Sequence, residues 1–247
     1  MASEKIRLDN LLVERGIAAT QEKARALILA RAVKINEIHM DKAGTLVPSD
    51  AQVHIKGEDN PYVSRGGLKL KGALEEFKLD VTDLVALDVG ASTGGFTDCL
   101  LQAGARKVYA LDVGYGQLSW KLREDKHVVV IERTNIRHYD GIHLSELPDL
   151  ATIDVSFISL KIVLPAVLKL LGNDGQILAL IKPQFEAGRE EIGKKGLVKN
   201  SAVHQRVVLG IADFCRKLNL QVEGTCSSLL LGPVGNKEFF ILVRKNN

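Results

Sequence analysis

From residue 64 onward, short apolar runs with strand character alternate with segments of helical spacing, and this limits the fold more than any other feature. The strand-like runs fall at 85–89, 108–113, 128–132, 151–155 and 177–181, with helical patterns between them at 96–104, 117–123 and 157–171. This alternation predicts a parallel sheet covered by helices on both faces. Parallel neighbours need a crossover connection, and strands buried on both sides read as nearly unbroken apolar runs. A long helix at 202–218 follows, then strands near 221–230 and 238–243. Only GPVGN (232–236) joins those two strands, too short for a crossover helix, so the pair must be antiparallel.

The first 58 residues read as a separate α+β module. Leu8, Leu11 and Leu12 share one helical face, which Gly16 stops. Thr20 is a good N-cap for a second helix, where Ala24, Leu27, Ile28 and Arg31 form one stripe. Short strands at 33–36 and 52–55 then make a hairpin, and 59–63 lies in a stretch (GEDNPYV) of linker composition before a second domain over 64–247. Residues 1–60 carry nine Lys/Arg against nine Asp/Glu, and the whole chain has a net charge of only +3. Any nucleic-acid surface must therefore come from local arrangement rather than bulk charge. Three widely spaced cysteines form neither a zinc pattern nor a closed disulfide framework, so no metal is expected. The N-terminus has no apolar signal region, and the most apolar stretch, 160–171, is cut by Lys161, Pro165 and Lys169. The expected setting is the cytoplasm, with no membrane partner.

The run Asp88-Val89-Gly90-Ala91-Ser92-Thr93-Gly94-Gly95-Phe96 leaves the first strand of the sheet and opens a helix. Glycines at such a turn permit positive φ and close approach of the backbone to a ligand. The dinucleotide fingerprint requires glycine where Ser92 stands, which counts against a nicotinamide cofactor. Asp88 is expected to hold an ammonium group of the ligand. Asp112, closing the second strand, is expected to hold ribose hydroxyls. A parallel sheet finished by one antiparallel strand is also the general plan of the S-adenosylmethionine methyltransferases, whereas a dehydrogenase would continue with parallel βα units.

Ligands of open α/β sheets sit beyond the carboxyl ends of the strands. Asp154 ends the fourth strand, Lys182 ends the fifth ahead of Pro183, and Glu238 begins the antiparallel strand at the same edge. Lys69, on the helix before the first strand, reaches over from outside. Strand-end lysines and acids also form plain solvated ion pairs, and spacing alone does not separate the two readings. Methylation of a ribose hydroxyl would give the four a task. The hydroxyl is a poor nucleophile that must be held in line with the sulfonium methyl while its proton leaves. A lysine can take that proton only when neutral, and burial or a neighbouring ammonium lowers a lysine's pKa. Lys182 is the candidate for the central residue.

The segments VSRGGLKLKGALEEF (63–77), DVGASTGGFTDCLL (88–101), DVGYGQLSWKLR (112–123), ERTN (132–135), DVSFISL (154–160), IKPQFEAG (181–188) and GPVGNKEFF (232–240) together resemble the TlyA-type haemolysin/ribosomal RNA methyltransferase family. That family is related to the FtsJ-type ribose methyltransferases, and the likeness runs through nearly the whole chain. The resemblance implies S-adenosylmethionine as cofactor and a Lys-Asp-Lys-Glu catalytic tetrad at Lys69, Asp154, Lys182 and Glu238. It implies cofactor contacts from Gly90, Ala91, Ser92, Gly94, Gly95, Phe96, Asp112, Asn135 and Phe157, to which the strand-end argument adds Asp88. The substrate it implies is a 2′-hydroxyl of ribosomal RNA, on a cytidine, with ribosomal RNA or subunits as partner and no DNA. The opening segment, RLDNLLVERGIAATQEKARALILARAVKINE, looks like the α-L-type RNA-binding domain of a small-subunit ribosomal protein and of pseudouridine synthases. Arg7, Lys23, Arg25, Arg31 and Lys34 would then meet phosphates, with Arg65 extending the charge toward the catalytic side. The loop 187–200, with Arg189, Lys194, Lys195 and Lys199, reads as a lid that touches RNA. Two other readings stand beside this one: a membrane-active protein, as the haemolysin label suggests, and a ribosome-assembly factor that binds RNA without catalysis.

Overall fold

Strand β1 (Lys5–Arg7) leads directly into helix α1 (Leu8–Glu14), whose Leu8, Leu11 and Leu12 are buried, as their spacing predicts. The computed structural model describes residues 5–18, 20–35, 38–51, 53–55, 60–232 and 234–246, and the chain divides between Pro61 and Tyr62. Asn36, Gln52, linker positions 57–59 and Pro233 thus lie outside the described residues. In α2 (Gln21–Leu29), Thr20 caps the helix by accepting a hydrogen bond from the Lys23 amide at 3.2 Å. The strands β2 (Val33–Ile35), β3 (Ile38–His39), β4 (Leu46–Pro48) and β5 (Val53–Ile55) follow. The expected hairpin is present as the antiparallel β2–β5 pair, but it is not alone. β3 also pairs with β2, and β1 pairs with β4 in a second small sheet. Strands of two or three residues carry too little alternation to be read from sequence.

The second unit opens with α3 (Arg65–Phe77), capped by Ser64 and closed by Lys78 in the left-handed conformation. Its buried stripe is Gly67, Lys69, Leu70, Ala73 and Leu74, so a lysine stands on the core face of the helix. The order then runs β6 (Val85–Val89), α4 (Gly95–Gln102), β7 (Lys107–Leu111), α5 (Trp120–Arg123), β8 (Val128–Ile131), β9 (Leu150–Ile153) and α6 (Leu160–Leu168). It ends with β10 (Gln176–Ile181), α7 (Ser201–Lys217), β11 (Leu220–Ser227) and β12 (Phe239–Lys245).

These strands form one seven-stranded sheet in the order β11-β12-β10-β9-β6-β7-β8. All neighbours from β10 to β8 are parallel, while β12 runs antiparallel to both β10 and β11. One apolar cluster packs α6 and α7 on one face of the sheet, and another packs α3 and α4 on the opposite face. The order reverses between β6 and β9, and such a switch point opens a crevice at the carboxyl ends of the strands. Two helices are shorter than their sequence patterns suggest. α5 begins at Trp120 rather than 117, and α6 begins at Leu160 rather than 157. Ser159 caps α6, and Phe157, at φ +64°, lies in the loop before it.

Candidate active site

Val89 ends β6, and the chain turns at Gly90 with φ +88°. A Cβ at that position would lie 2.6 Å from the Asp154 carbonyl oxygen, so only glycine lets the two loops of the switch point approach. Ser92 N donates to Asp112 Oδ2 at 2.8 Å, and Gly114 N donates to Oδ1 at 2.7 Å. The carboxylate thus joins the loop after β6 to the loop after β7, with acceptor capacity left over. Thr134 N donates to the Asp112 carbonyl and Arg133 N to that of Gly114, which draws the segment after β8 alongside. These loops enclose a cavity of about 460 Å³, within the usual range for small-molecule sites. Gly90, Ser92, Asp112, Asn135 and Phe157 line it, and Leu111, Val113, Ile136 and Ile158 supply apolar wall. A polar acid beside an apolar slot fits the ribose and base of a nucleoside-like cofactor such as S-adenosylmethionine.

The other expected cofactor contacts are not in the cavity wall. Ala91 packs with Leu118 and Leu122, and Phe96 is buried in the core, stacked on Phe240 at 6.2 Å between centroids. Gly94 and Gly95 serve packing: a Cβ on the first would overlap Leu122, and on the second the Ser64 hydroxyl. Asp88 is the clearest correction. Its carboxyl is fully buried, accepting hydrogen bonds from Thr97 Oγ1 at 2.7 Å and Thr152 Oγ1 at 3.1 Å. Burial outweighs those hydrogen bonds and, with the nearby Asp154 charge, pushes its pKa up to about 7. The side chain ties β6 to α4 and β9 and does not line the cavity.

The four residues expected to react come together in two pairs. Lys69 Nζ donates to Glu238 Oε2 at 2.6 Å in a pair closed to solvent, the lysine side chain 10% exposed and the glutamate 0%. Glu238 Oε1 has no hydrogen-bond partner. Lys182 Nζ lies 2.6 Å from Asp154 Oδ1 and donates to Ser156 Oγ at 3.0 Å. The β10–β12 register, with Ile181 opposite Phe239, sets Lys182 opposite Glu238 at the next step. Asp154 follows β9 directly, and its amide bonds to the Val89 carbonyl, so the quartet occupies one edge of the sheet beside the Gly90 turn. Asp154 and Ser156 line the cavity.

Sequence reasoning missed Gln117, Ser156 and Arg137, all in the cavity wall. The strand pattern could have exposed Ser156, which stands two residues after Asp154 at the same strand end; Arg137 sits in a single 3-10 turn, and Gln117 lies just ahead of α5, where the sequence pattern had placed it inside the helix. It also missed Asn236, which is buried. Its Oδ1 accepts from Val198 N and its Nδ2 donates to Gly196 O, both at 2.9 Å, anchoring the far end of the 187–200 loop.

The residues expected to meet RNA divide. Lys23 and Arg65 are exposed, and Lys34 is half-buried on β2. Arg31 pairs loosely with Asp41 at 3.4 Å. Arg7 and Arg25 both pair with the buried Asp9.

A sheet of this order, with a glycine turn, an acid after the second strand and an apolar slot at its switch point, defines an S-adenosylmethionine-dependent methyltransferase. Residues 62–245 match the FtsJ-like methyltransferase model and residues 6–53 match the S4 domain, so the chain belongs to the FtsJ-like methyltransferase family and carries an N-terminal S4 domain. It is 42% identical to the 16S/23S rRNA (cytidine-2′-O)-methyltransferase TlyA of Mycobacterium tuberculosis, over 98% of this chain and 91% of that one. It is 39% identical to Hemolysin A of Brachyspira hyodysenteriae, over 95% of this chain and 98% of that one. A solved Streptococcus thermophilus structure that carries the hemolysin label is 44% identical, with a TM-score of 0.78 over 100% of this chain and 90% of that one. Among the described residues, no helix is long and apolar enough to cross a membrane.

Proposed function

We propose that this protein methylates the 2′-hydroxyl of a cytidine in ribosomal RNA, acting on ribosomal subunits, and that Lys69, Asp154, Lys182 and Glu238 are its catalytic set. One observation carries the reading: the Lys182–Asp154 pair stands at the strand ends beside the cavity that Asp112 borders. The relatives' names supply the substrate class.

Asp112 and Asn135 would hold the cofactor's ribose, and Ile136, Ile158 and Phe157 its base. Bound there, S-adenosylmethionine supplies a methyl group already activated by the positive charge on its sulfur. The chain must then orient the hydroxyl and handle its proton. Lys182 Nζ is the group that holds the hydroxyl oxygen in line. The Lys182 ammonium would first give one proton to Asp154, 2.6 Å away, and the neutral amine would then take the hydroxyl proton as the methyl is transferred, so that lysine and carboxylic acid together end with one proton more than the ion pair began with. The Lys69–Glu238 pair, one ladder step away, fixes the electrostatic setting in which Lys182 works. The exposed cations of the N-terminal unit and Arg65 would neutralise phosphates, with backbone and shape recognition ahead of base stacking.

The test is transfer of labelled methyl from S-adenosylmethionine to separated ribosomal subunits, followed by mapping of the modified ribose. Label in one cytidine 2′-position is the expected result; absence of label from both subunits would overturn the proposal. The hemolysin name of one relative makes a second assay worthwhile: the protein should release no dye from liposomes in the absence of cofactor.

A further inference from the structure

We propose that Asp9 is a positioning residue for RNA binding: it gathers Arg7 and Arg25 into a preformed clamp for a backbone phosphate. This rests on the RNA-substrate reading above and adds to it a built anion site within the N-terminal unit.

The carboxylate of Asp9 is wholly buried, although it stands on the second residue of a short surface helix. Four donors converge on it. Arg7 grips it with Nε at 3.0 Å to Oδ1 and Nη2 at 2.8 Å to Oδ2; Arg25 Nε reaches Oδ2 at 3.3 Å; and the Asn10 amide donates to Oδ1 at 3.1 Å. The Arg7 hydrogen bonds, outweighing burial, hold the carboxyl down at about 2, so it is ionised at any working pH.

The arginines are not buried with it. Their side chains are 48% and 52% exposed, so each guanidinium turns one edge inward and the other to solvent. Arg7 commits Nε and Nη2 to the carboxylate, and Arg25 commits only Nε, which leaves terminal N–H groups of both on the outer side.

An ion pair half open to water is a weak source of stability, because solvation of the separated charges competes with the attraction. Two guanidiniums sharing one carboxylate carry a net positive charge in fixed orientation, and the planar fork of arginine matches phosphate geometry. Held this way, the side chains lose little rotamer freedom when a phosphate arrives, and that loss is a main cost of binding with long cationic side chains. Asp9 thus gives up one unit of attraction for orientation.

Two opposite expectations follow for Asp9→Asn. If Asp9 only neutralises the arginines, the variant gains a positive charge and binds RNA more tightly. If it orients them, the variant binds more weakly despite that gain. The measurement is equilibrium binding of the full-length chain to purified ribosomal RNA across a salt series, with thermal unfolding of each variant alongside. Arg7→Gln and Arg25→Gln should each flatten the log–log salt dependence by roughly 0.7–0.9, one phosphate contact. Asp9→Asn should weaken binding roughly tenfold at fixed salt, on the scale of one lost charge-assisted hydrogen bond. If Asp9→Asn fails to fold, Arg25→Lys decides the matter, since it keeps the charge on an exposed side chain but loses the fork. It should weaken binding nearly as much as Arg25→Gln; affinity equal to the unaltered chain overturns the proposal. Tighter or unchanged binding by folded Asp9→Asn also overturns it while leaving the methyltransferase reading intact. An unaltered chain that binds no ribosomal RNA overturns both.

Discussion

Two lysine–carboxylate pairs stand side by side at the carboxyl edge of the sheet, each closed at 2.6 Å, yet their surroundings differ. Lys69–Glu238 is sealed: the glutamate has no exposure and its second oxygen no partner. In Lys182–Asp154 the lysine is 11% exposed, as closed as Lys69, but Asp154 is 23% exposed and lines the cavity, and a serine hydroxyl shares the ammonium. Distance alone would rank the pairs as equals; access separates them. Asp154 is the member presented to the cavity, whereas the Lys69–Glu238 pair holds α3 against the start of β12.

That contrast is easiest to break with Lys182→Ala. Transfer should fall by roughly 10²–10⁴-fold, the usual span for a general acid–base group, with cofactor affinity nearly unchanged. Single-turnover methyl transfer beside calorimetric cofactor binding checks both, and near-normal turnover would sink the assignment. The sealed pair should respond in stability. Glu238→Gln leaves the Lys69 ammonium without its counter-charge and should cost about 3 kcal/mol or more in urea unfolding. The equivalent change on the open side, Asp154→Asn, should cost much less stability and more activity; equal losses of stability in both variants would erase the distinction.

Asp112→Ala removes the acceptor that joins two loops at the cavity and should weaken cofactor binding by roughly tenfold or somewhat more. The last effect depends on pH. The Asp88 pKa, about 7 in the folded protein, lies above its unfolded value, so the unfolded chain releases its proton first as pH rises. Its contribution is intact below the unfolded pKa near 4 and is lost progressively up to about 7. Asp88→Asn should therefore match the unaltered protein in stability near pH 4 and exceed it at pH 8. A difference independent of pH would refute the buried, protonated carboxyl.

Much of this was legible before any coordinates. Unbroken apolar runs announced the parallel strands, and a connection without room for a crossover helix forced the last pair antiparallel, because chain length bounds what a connection can span. Asp154, Lys182 and Glu238 could be assigned to one edge for the same reason. Less visible was the division of labour in the glycine turn. Asp88 and Asp112 look alike in sequence, an acid at or just past a strand end, yet one is enclosed by two threonines and the other opens on the cavity. The small strands of the N-terminal unit were hidden too, since two or three residues give no period to read.

The sequence by itself determined the alternation of elements, the direction of the strands in the large sheet and the chemical types gathered at its edge, because these follow from local periodicity and connection length. Which of those groups are sealed, which face a cavity, and which arginines share the Asp9 carboxylate were decided only by tertiary structure. Burial and hydrogen-bond partners are properties of residues far apart in the chain, and no local pattern encodes the dielectric in which a charge will come to rest.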